Sequence, residues 1–217
     1  MPGFTQRPYK GSLITIEGID GAGKSILVNA LHQALLQEKY SVLLTKEPGG
    51  TFIGQMLKKV LLEEEKECDP RVEFLLFAAD RAEHFKQLVL PALRRGAIVI
   101  SDRMADSAVA YQGYGRGVDP HFIKSVNAFA MHGIEPDVTL YLRISPEEAR
   151  KRFELRAEKQ STMEREGRDF WERVVFGYEQ LLSSHSRIHA LDATAHPKAV
   201  AHTAYEIVSS FLKKNAS

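Results

Sequence analysis

The chain has 217 residues, of which 44% are hydrophobic and 26% are charged, with 15 Gly and 9 Pro. This composition excludes a disordered, collagen-like or low-complexity chain and is typical of a globular domain. Lys and Arg number 29 against 28 Asp and Glu, so the net charge of +1 favours neither nucleic acid nor an anionic membrane. We expect a single domain over 1–217 with neither of these partners.

The N-terminus and the cysteine content indicate the compartment. No run approaches the ~18 apolar residues that a membrane span needs, and residues 1–11 lack the apolar core of a signal peptide. The single cysteine, Cys68, excludes a disulfide framework and a multi-cysteine zinc site. We expect a cytoplasmic protein in which residues 1–11 form a flexible arm.

Short apolar runs of strand length alternate with longer segments of helical spacing. This order predicts an α/β fold with a doubly wound, five-stranded parallel sheet flanked by helices. The predicted strands are 13–17, 42–45, 97–101, 139–144 and 188–192.

Helix signals lie between these strands. After Lys24, apolar residues recur at helical intervals from Ile26 onward, which predicts a helix packed on the sheet. Asp69-Pro70 and Ser145-Pro146 each place a capping residue before a first-turn proline. A last helix is predicted over 197–212. The polar stretch 157–168 is interpreted as a small flexible lid or an exposed helix end, with a solvated, salt-bridged surface as the alternative.

The strongest motif is Gly18-Ile19-Asp20-Gly21-Ala22-Gly23-Lys24-Ser25, which matches G-x-x-x-x-G-K-[ST] between a predicted strand and a predicted helix. Glycines in such a P-loop let backbone N–H groups turn toward a phosphate, and the helix N-terminus adds partial positive charge. Lys24 supplies a point charge and Ser25 a ligand for Mg²⁺. The motif predicts a P-loop NTPase fold that binds nucleotide phosphates.

A second motif narrows the class of P-loop protein. The guanine-reading Asn-Lys-x-Asp of GTPases is absent, and the strand 97–101 is followed by Asp102-Arg103 rather than by Asp-Glu. An acid here can hold the hydration shell of Mg²⁺, and the arginine can reach a phosphate, which suits phosphoryl transfer between two anions. A strand-end salt bridge is the alternative.

Two further groups of residues are candidates for contacts with an acceptor. Phe77 and Arg81 are four residues apart, so a helix would place a ring and a guanidinium on one face, able to stack on a base and bond its edge. Core packing is the alternative for Phe77. The segment from Ser107 to Gly117 can line the same cleft or form an exposed turn.

Together the motifs resemble those of thymidylate kinases, which phosphorylate dTMP to dTDP with ATP, over nearly the whole chain after Lys10. The resemblance rests on Glu17 with the P-loop, Glu47-Pro48-Gly49-Gly50-Thr51, Phe77 with Arg81, Ser101-Asp102-Arg103 and Ala110-Tyr111-Gln112-Gly113. It implies an enzyme of dTTP biosynthesis that forms a homodimer, takes ATP as phosphoryl donor and uses Mg²⁺.

The resemblance also implies site residues. The implied dTMP-binding residues are Asp20, Glu47, Pro48, Phe77, Arg81, Arg103, Ser107, Tyr111 and Gln112, and ATP is implied to contact residues 18–25 and Arg152. In the acceptor site Phe77 stacks on thymine and Arg81 donates to its exocyclic oxygen. The implied catalytic residues are Lys24, Asp102, Arg103 and Arg156, and the implied Mg²⁺ ligands, partly through water, are Ser25 and Asp102.

Gly21 stands where some members of the family carry a transition-state arginine. In members with glycine there, the lid supplies that arginine, which accelerates related transfers by ~10³–10⁵. The comparable lid stretch here, Ser161-Thr162-Met163-Glu164, lacks the family's arginine. We expect Arg156 to replace it, with Lys159 or Arg165 as alternatives.

An acceptor phosphate is already a nucleophile at pH 7, so such a reaction needs positioning and charge neutralisation rather than a general base. The eight histidines are therefore expected at surface or capping positions, and the apolar faces around Phe74 and Phe129 are candidate dimer surfaces.

Two alternative functions stay open. A deoxynucleoside kinase would need a base for a 5′-hydroxyl, and a regulatory module would bind nucleotide without transferring phosphate.

Overall fold

The centre of the fold is a five-stranded parallel sheet of order β2-β3-β1-β4-β5, seen in a computed structural model that describes residues 9–63, 68–154 and 165–215. The strands are β1 (Ser12–Glu17), β2 (Val42–Lys46), β3 (Ile98–Asp102), β4 (Val138–Arg143) and β5 (Ile188–Asp192). All five predicted strands are confirmed, each within one residue at either end.

Helices connect the strands. They are α1 (Lys24–Gln37), α2 (Phe52–Lys58), α3 (Pro70–His84), α4 (Leu90–Arg94), α5 (Ala105–Ala108), α6 (Pro120–Ala130), α7 (Pro146–Glu154), α8 (Arg168–Ser184) and α9 (Pro197–Asn215). π-helical turns at Lys59–Glu63, Phe85–Val89 and Val109–Gly115 extend α2, α3 and α5.

Apolar cores lie on both faces of the sheet because successive side chains of a strand point in opposite directions. Ile14 and Ile100 pack in the larger core with residues of α1, α8 and α9. Their neighbours Leu13 and Val99 point the other way, toward the Phe85–Val89 turn and α4. Burial on both faces explains why these strands are continuous apolar runs, and it confirms the doubly wound fold.

The helix ends follow the predicted signals. Asp69 caps α3, with its Oδ1 accepting from the backbone N–H of Arg71 at 2.8 Å. α7 begins at Pro146, as predicted, whereas α9 runs three residues beyond its predicted end. One detail of the prediction for α1 is wrong: Ile26 is 57% exposed and does not pack on the sheet.

Some predictions lie outside the described residues. These are the first eight residues of the arm and residues 157–164 of the lid, together with Arg156. Of the predicted lid, residues 165–167 directly precede α8, and Arg168 is the first residue of that helix. Within the described ranges, no helix combines the length and hydropathy that crossing a membrane requires.

Candidate active site

The P-loop at residues 18–25 lies between β1 and α1, as its motif requires. Its glycines Gly18, Gly21 and Gly23 have positive φ angles of 138°, 84° and 95°. Such angles turn backbone N–H groups toward a common concave side, where a phosphate can bind. Lys24 and Ser25 follow in the first turn of α1 and line one cavity with the loop. The loop therefore has the form of a phosphate site.

Gly21 of the P-loop packs against Ala149 of α7. A Cβ atom on Gly21 would lie 2.5 Å from the carbonyl oxygen of Ala149, far inside normal contact distance. The larger arginine side chain that some family members carry here would have to displace α7. The P-loop thus packs directly on α7, the helix that precedes the predicted lid.

Arg103 spans the space between the P-loop and the segment that follows β3. Its Nη1 donates to the carbonyl oxygen of Gly18 at 2.9 Å, and its Nη2 donates to Asp20 Oδ1 at 2.5 Å. The same guanidinium donates to Ser107 Oγ at 3.2 Å and to Tyr111 Oη at 3.1 Å. Arg103 also has a φ of 69°, a strained angle of the kind that functional sites retain.

The P-loop lysine lies beside this arginine. Lys24 Nζ donates to the carbonyl oxygen of Ile19 at 2.9 Å and lies 3.5 Å from Asp20 Oδ1. Burial by itself would raise the pKa of Asp20, but Arg103 and then Lys24 outweigh it and lower that pKa to about 2. Asp20 is therefore charged, and two cations share one carboxylate. The excess positive charge suits a bound anion.

Two lysines outside the predicted site residues also line this cavity. Lys46 ends β2 and Lys58 ends α2, and both line a space of about 220 Å³ with Glu47, Pro48 and the P-loop. The signal in the sequence is their distance of one and seven residues from the Glu-Pro-Gly-Gly-Thr segment. They bring further positive charge to this cavity.

The predicted magnesium ligands come together. Ser25 Oγ, on α1, donates to Asp102 Oδ2, at the end of β3, over 3.5 Å. A hydroxyl and a carboxylate are hard oxygen ligands, and Mg²⁺ in phosphoryl-transfer sites takes one or two such ligands besides phosphate and water. The residues present therefore fit Mg²⁺.

The predicted acceptor side is built around the buried side chain of Arg81. Its Nε donates to Glu47 Oε2 at 2.8 Å, Nη1 to Asn127 Oδ1 at 2.7 Å and Nη2 to the carbonyl oxygen of Met104 at 3.2 Å. Among the described residues these bonds occupy three of its five N–H groups. Burial alone would raise the pKa of Glu47, but Arg81 and His84 hold it below its usual range. The pair is therefore charged and held in place.

Phe77 lies one helical turn before Arg81 on α3 and is partly buried against the edge of the larger core. Gln112 is 3% exposed, and its Nε2 donates to Glu73 Oε1 at 2.8 Å. Within the described chain, that bond leaves the amide oxygen of Gln112 available. The segment that the sequence left open as cleft or exposed turn is thus a helical turn, with Ser107, Tyr111 and Gln112 directed inward.

Arg152 lies on the other side of the P-loop. A cavity of about 220 Å³ is bounded by Arg152 on α7, by Leu142 and by the P-loop residues Ala22 and Gly23. The loop from Ala193 to Pro197 and the exposed Ile26 complete its wall, which is mostly apolar. A flat base next to the phosphate site would be accommodated here.

A family model described as thymidylate kinase matches residues 16–204. The chain belongs to the thymidylate kinase family. It is 41% identical over 211 residues to the thymidylate kinase of Nitratidesulfovibrio vulgaris and 38% identical over 208 residues to that of Bacillus pumilus, covering 94% of this chain and 98% of each relative. The crystal structure of thymidylate kinase from Ehrlichia chaffeensis is 30% identical and has a TM-score of 0.75, over 92% of this chain and 98% of that one. The resemblance drawn from the motifs is confirmed, and the chain is a kinase.

Glu17 is a residue of the thymidylate kinase motif to which the sequence alone assigned no role. It accepts hydrogen bonds from the Met104 N–H at 2.8 Å, Ser107 Oγ at 2.5 Å and Tyr178 Oη at 3.0 Å. Because Ser107 also contacts Arg103, Glu17 helps to hold that arginine in place through Ser107. Burial and then the charge of Asp106 raise the pKa of Glu17 to about 7. The sequence signal for this role of Glu17 was a single acidic residue in a mostly apolar predicted strand.

We expect Glu17→Gln to remove a pH-dependent loss of stability. The folded wild type binds more protons than the unfolded chain between about pH 4.5 and 7, so its free energy of unfolding falls as pH rises through that range, by at most about 3 kcal/mol. The amide can donate to both hydroxyls and carries no charge. Urea unfolding at pH 5 and pH 8 measures the difference, and Glu172→Gln on the surface is the control. Parallel pH profiles for wild type and Glu17→Gln would contradict this prediction.

Two expectations need correction. His84 is fully buried, with ring nitrogens bonded to Thr45 Oγ1 at 2.6 Å and Glu47 Oε1 at 2.8 Å, rather than lying at the surface or in a cap. Phe74 is also fully buried, with its ring 5.9 Å from that of Phe122, so it belongs to the core and to no dimer surface. Phe129, by contrast, is 85% exposed.

Proposed function

We propose that this chain transfers the γ-phosphoryl group of ATP to dTMP, giving dTDP and ADP for dTTP biosynthesis. Membership of the thymidylate kinase family supports the reaction. The observation that carries the mechanism is the position of Arg103, whose guanidinium bonds the P-loop at Gly18 and Asp20 and the acceptor side at Tyr111. One cation placed between two phosphate sites neutralises the repulsion between donor and acceptor.

The acceptor binds on the side of α3. Phe77 stacks on the thymine ring, and the N–H groups that Arg81 retains donate to its exocyclic oxygen, with Glu47 and Pro48 shaping the pocket. Tyr111 and Ser107 lie toward the deoxyribose, Gln112 toward the base and Asp20 toward the acceptor sugar. The buried, charge-paired setting of Arg81 supports this arrangement, because a fixed donor discriminates strongly against a base that lacks its partner.

The donor binds over the P-loop. Residues 18–25 hold the phosphates, Lys24 neutralises their charge, and Arg152 contacts the adenine in the apolar cavity beside Ala193. Ser25 and Asp102 would hold Mg²⁺, partly through water, and a bound Mg²⁺ supplies charge neutralisation at the donor phosphates. Arg156, which directly precedes the lid, is the arginine that we assign to the transition state.

No general base is required for this transfer. The phosphate of dTMP is anionic at pH 7, so in-line positioning and charge neutralisation are the chemistry that these residues perform. Lys24, Arg103 and Asp20 do this in the described part of the site. A deoxynucleoside kinase would instead need a base positioned for a 5′-hydroxyl.

A coupled assay for ADP formation tests the proposal. With ATP as donor, we expect turnover of dTMP well above that of dCMP, CMP, AMP and thymidine. Turnover of thymidine alone would favour a deoxynucleoside kinase, and ATP binding without diphosphate formation on any acceptor would favour a regulatory module. Either result would overturn the assignment.

We also propose a homodimer of single-domain chains, each spanning 1–217 with a lid at 157–168, in the cytoplasm. Large exposed apolar side chains on α2, α3 and α6 support an interface, because α2 packs on α3 and α3 on α6. They include Phe52, Met56, Leu75 and Phe129, which are 76%, 58%, 48% and 85% exposed. Large apolar side chains left exposed on neighbouring helices favour an interaction site.

Phe129→Asp is expected to shift the dimer to a monomer, because it places a charge at the most exposed apolar side chain of this surface. Light scattering coupled to size-exclusion chromatography gives the mass directly. Phe176→Asp, at a 55% exposed phenylalanine on α8, is the matched control and should not change the mass. A wild-type monomer at micromolar concentration would contradict the proposed dimer.

A further inference from the structure

His84 is a fully buried titratable residue to which neither the motifs nor the family assignment gives a role. It is the last residue of α3 and is 0% exposed. One ring nitrogen, Nε2, lies 2.6 Å from Thr45 Oγ1 on β2, and the other, Nδ1, lies 2.8 Å from Glu47 Oε1. Both ring nitrogens are therefore used, and a buried histidine held at both ends cannot rotate without losing a bond.

The polarity of these bonds follows from the carboxylate. Glu47 is ionised, as its lowered pKa shows, and an ionised carboxylate can only accept. His84 Nδ1 therefore carries a proton and donates to Oε1, while in the neutral ring Nε2 accepts from the hydroxyl of Thr45. The tautomer is fixed by the partners, as in sites where one group orients a histidine for another task.

Glu47 passes this constraint to Arg81. Its second oxygen, Oε2, accepts from Arg81 Nε at 2.8 Å, so one carboxylate lies between His84 and the guanidinium. The two side chains of this ion pair are each 3% exposed, and side-chain motion there is restricted by burial. A carboxylate with one oxygen fixed by an imidazole presents the other oxygen, and hence Arg81, in one orientation.

The loop that carries Glu47 is fixed to the same helix at a second point. Asp80, one turn before His84 on α3, accepts from the backbone N–H of Gly49 at 3.1 Å through Oδ1. A Cβ atom on Gly54 would lie 2.2 Å from that oxygen, so the start of α2 also packs directly on Asp80. Asp80 and His84 thus hold the 47–54 segment against α3 from both sides of Arg81.

We propose that His84 is a positioning residue for base recognition, which acts through Glu47 to orient the Arg81 guanidinium toward the acceptor base. The inference rests on the proposed function, because it takes Arg81 as the donor to the exocyclic oxygen of thymine. His84 itself touches neither substrate. Its removal therefore affects acceptor binding and base selection more than the chemical step or ATP binding.

Two substitutions separate the two ring nitrogens. His84→Asn keeps an amide donor near the position of Nδ1 and loses the contact with Thr45, whereas His84→Gln keeps a polar group near Nε2 and loses the contact with Glu47. We expect His84→Gln to raise KM for dTMP on the order of tenfold, with KM for ATP unchanged and kcat changed little. His84→Asn should stay near the wild type.

The preference for one base over another separates the two possible roles of His84, because a purely structural role would leave that preference unchanged. Cytosine presents an amino group where thymine presents an acceptor oxygen, so the ratio of kcat/KM for dTMP over dCMP should fall in His84→Gln and hold in His84→Asn. Equal effects of the two variants, or lost stability with an unchanged ratio, would overturn the inference. A wild type that does not phosphorylate dTMP would instead overturn the proposed function, so the two failures are distinguishable.

Glu47→Gln alone covers the case in which His84→Gln folds poorly: if Glu47 orients Arg81, KM for dTMP in Glu47→Gln should rise on the order of tenfold, with KM for ATP unchanged. Where His84→Gln folds, a double-mutant cycle tests the coupling, and adding His84→Gln to Glu47→Gln should raise KM for dTMP no further. Additive increases in KM would show that the two residues act independently and would contradict the proposal. Circular dichroism establishes the folded fraction of each variant before the kinetics.

Discussion

Arg103→Ala is expected to lower kcat for dTMP phosphorylation by about 10³-fold, in line with other arginines that neutralise a transferred phosphoryl group. In the present structure its guanidinium bonds Asp20 at 2.5 Å, beside Lys24, so the side chain already lies where charge must be neutralised. Its loss removes the cation that spans the two phosphate sites. A coupled assay at saturating ATP and dTMP gives kcat.

The fold should survive this substitution. Burial opposes the charge of Arg103, and the ammonium of Lys24 lies close by, so the alanine variant loses hydrogen bonds but also relieves repulsion between two cations. Thermal unfolding measures this, and Arg71→Ala, at an arginine with 78% side-chain exposure, is the control that should keep full activity. Arg103→Lys should be intermediate, because an ammonium lacks the planar fork. A kcat within tenfold of wild type for Arg103→Ala would remove Arg103 from the mechanism.

The sheet was predictable because its strands are buried on both faces. In β3 the consecutive residues Ile98, Val99 and Ile100 are all within 3% exposure, so each of them must be apolar, and such a short apolar run is visible without tertiary information. The P-loop was predictable for a related reason. Its function depends on backbone shape, which glycines at fixed spacing encode locally.

The supporting residues were not predictable, because their partners are distant along the chain. Glu17 and Tyr178 are 161 residues apart, and His84 and Glu47 are 37 apart. Nothing in the sequence near His84 shows that β2 will end beside α3. The sequence alone does not distinguish a buried histidine from a surface histidine. The general rule that scattered histidines lie at the surface therefore gave the wrong prediction for His84.

Phe74 and Phe77 show that the sequence could not predict which residues of a single helix are buried. Both are aromatic residues of α3, and helical spacing places them nearly one turn apart, yet Phe74 is fully buried whereas Phe77 is only partly buried. The sequence grouped Phe74 with the exposed surface because the orientation of α3 relative to α6 decides which side of the helix is covered. That orientation depends on contacts such as the one between Phe74 and Phe122.

Gly21→Ala should lower kcat/KM for ATP by about 100-fold, since two costs of a few kcal/mol combine at this position. The residue has a φ of 84°, which a side chain adopts at a cost of about 1–2 kcal/mol. The new Cβ would also lie 2.5 Å from the carbonyl oxygen of Ala149, and overpacking of this kind costs roughly 1–3 kcal/mol. Either the P-loop or α7 must move, and we propose that both contact the donor.

The variant Gly96→Ala separates the effect of backbone strain from the effect of the contact with α7. Gly96 has nearly the same φ, 80°, but its nearest neighbour to an added Cβ is Lys10 Cβ at 3.8 Å, an ordinary contact. That variant should lose about 1–2 kcal/mol of stability and keep its KM for ATP. If Gly21→Ala behaved in the same way, the contact between the P-loop and α7 would have no part in donor binding. A raised KM for ATP in Gly21→Ala alone would show that the lid-side helix and the phosphate site are coupled through this one backbone contact.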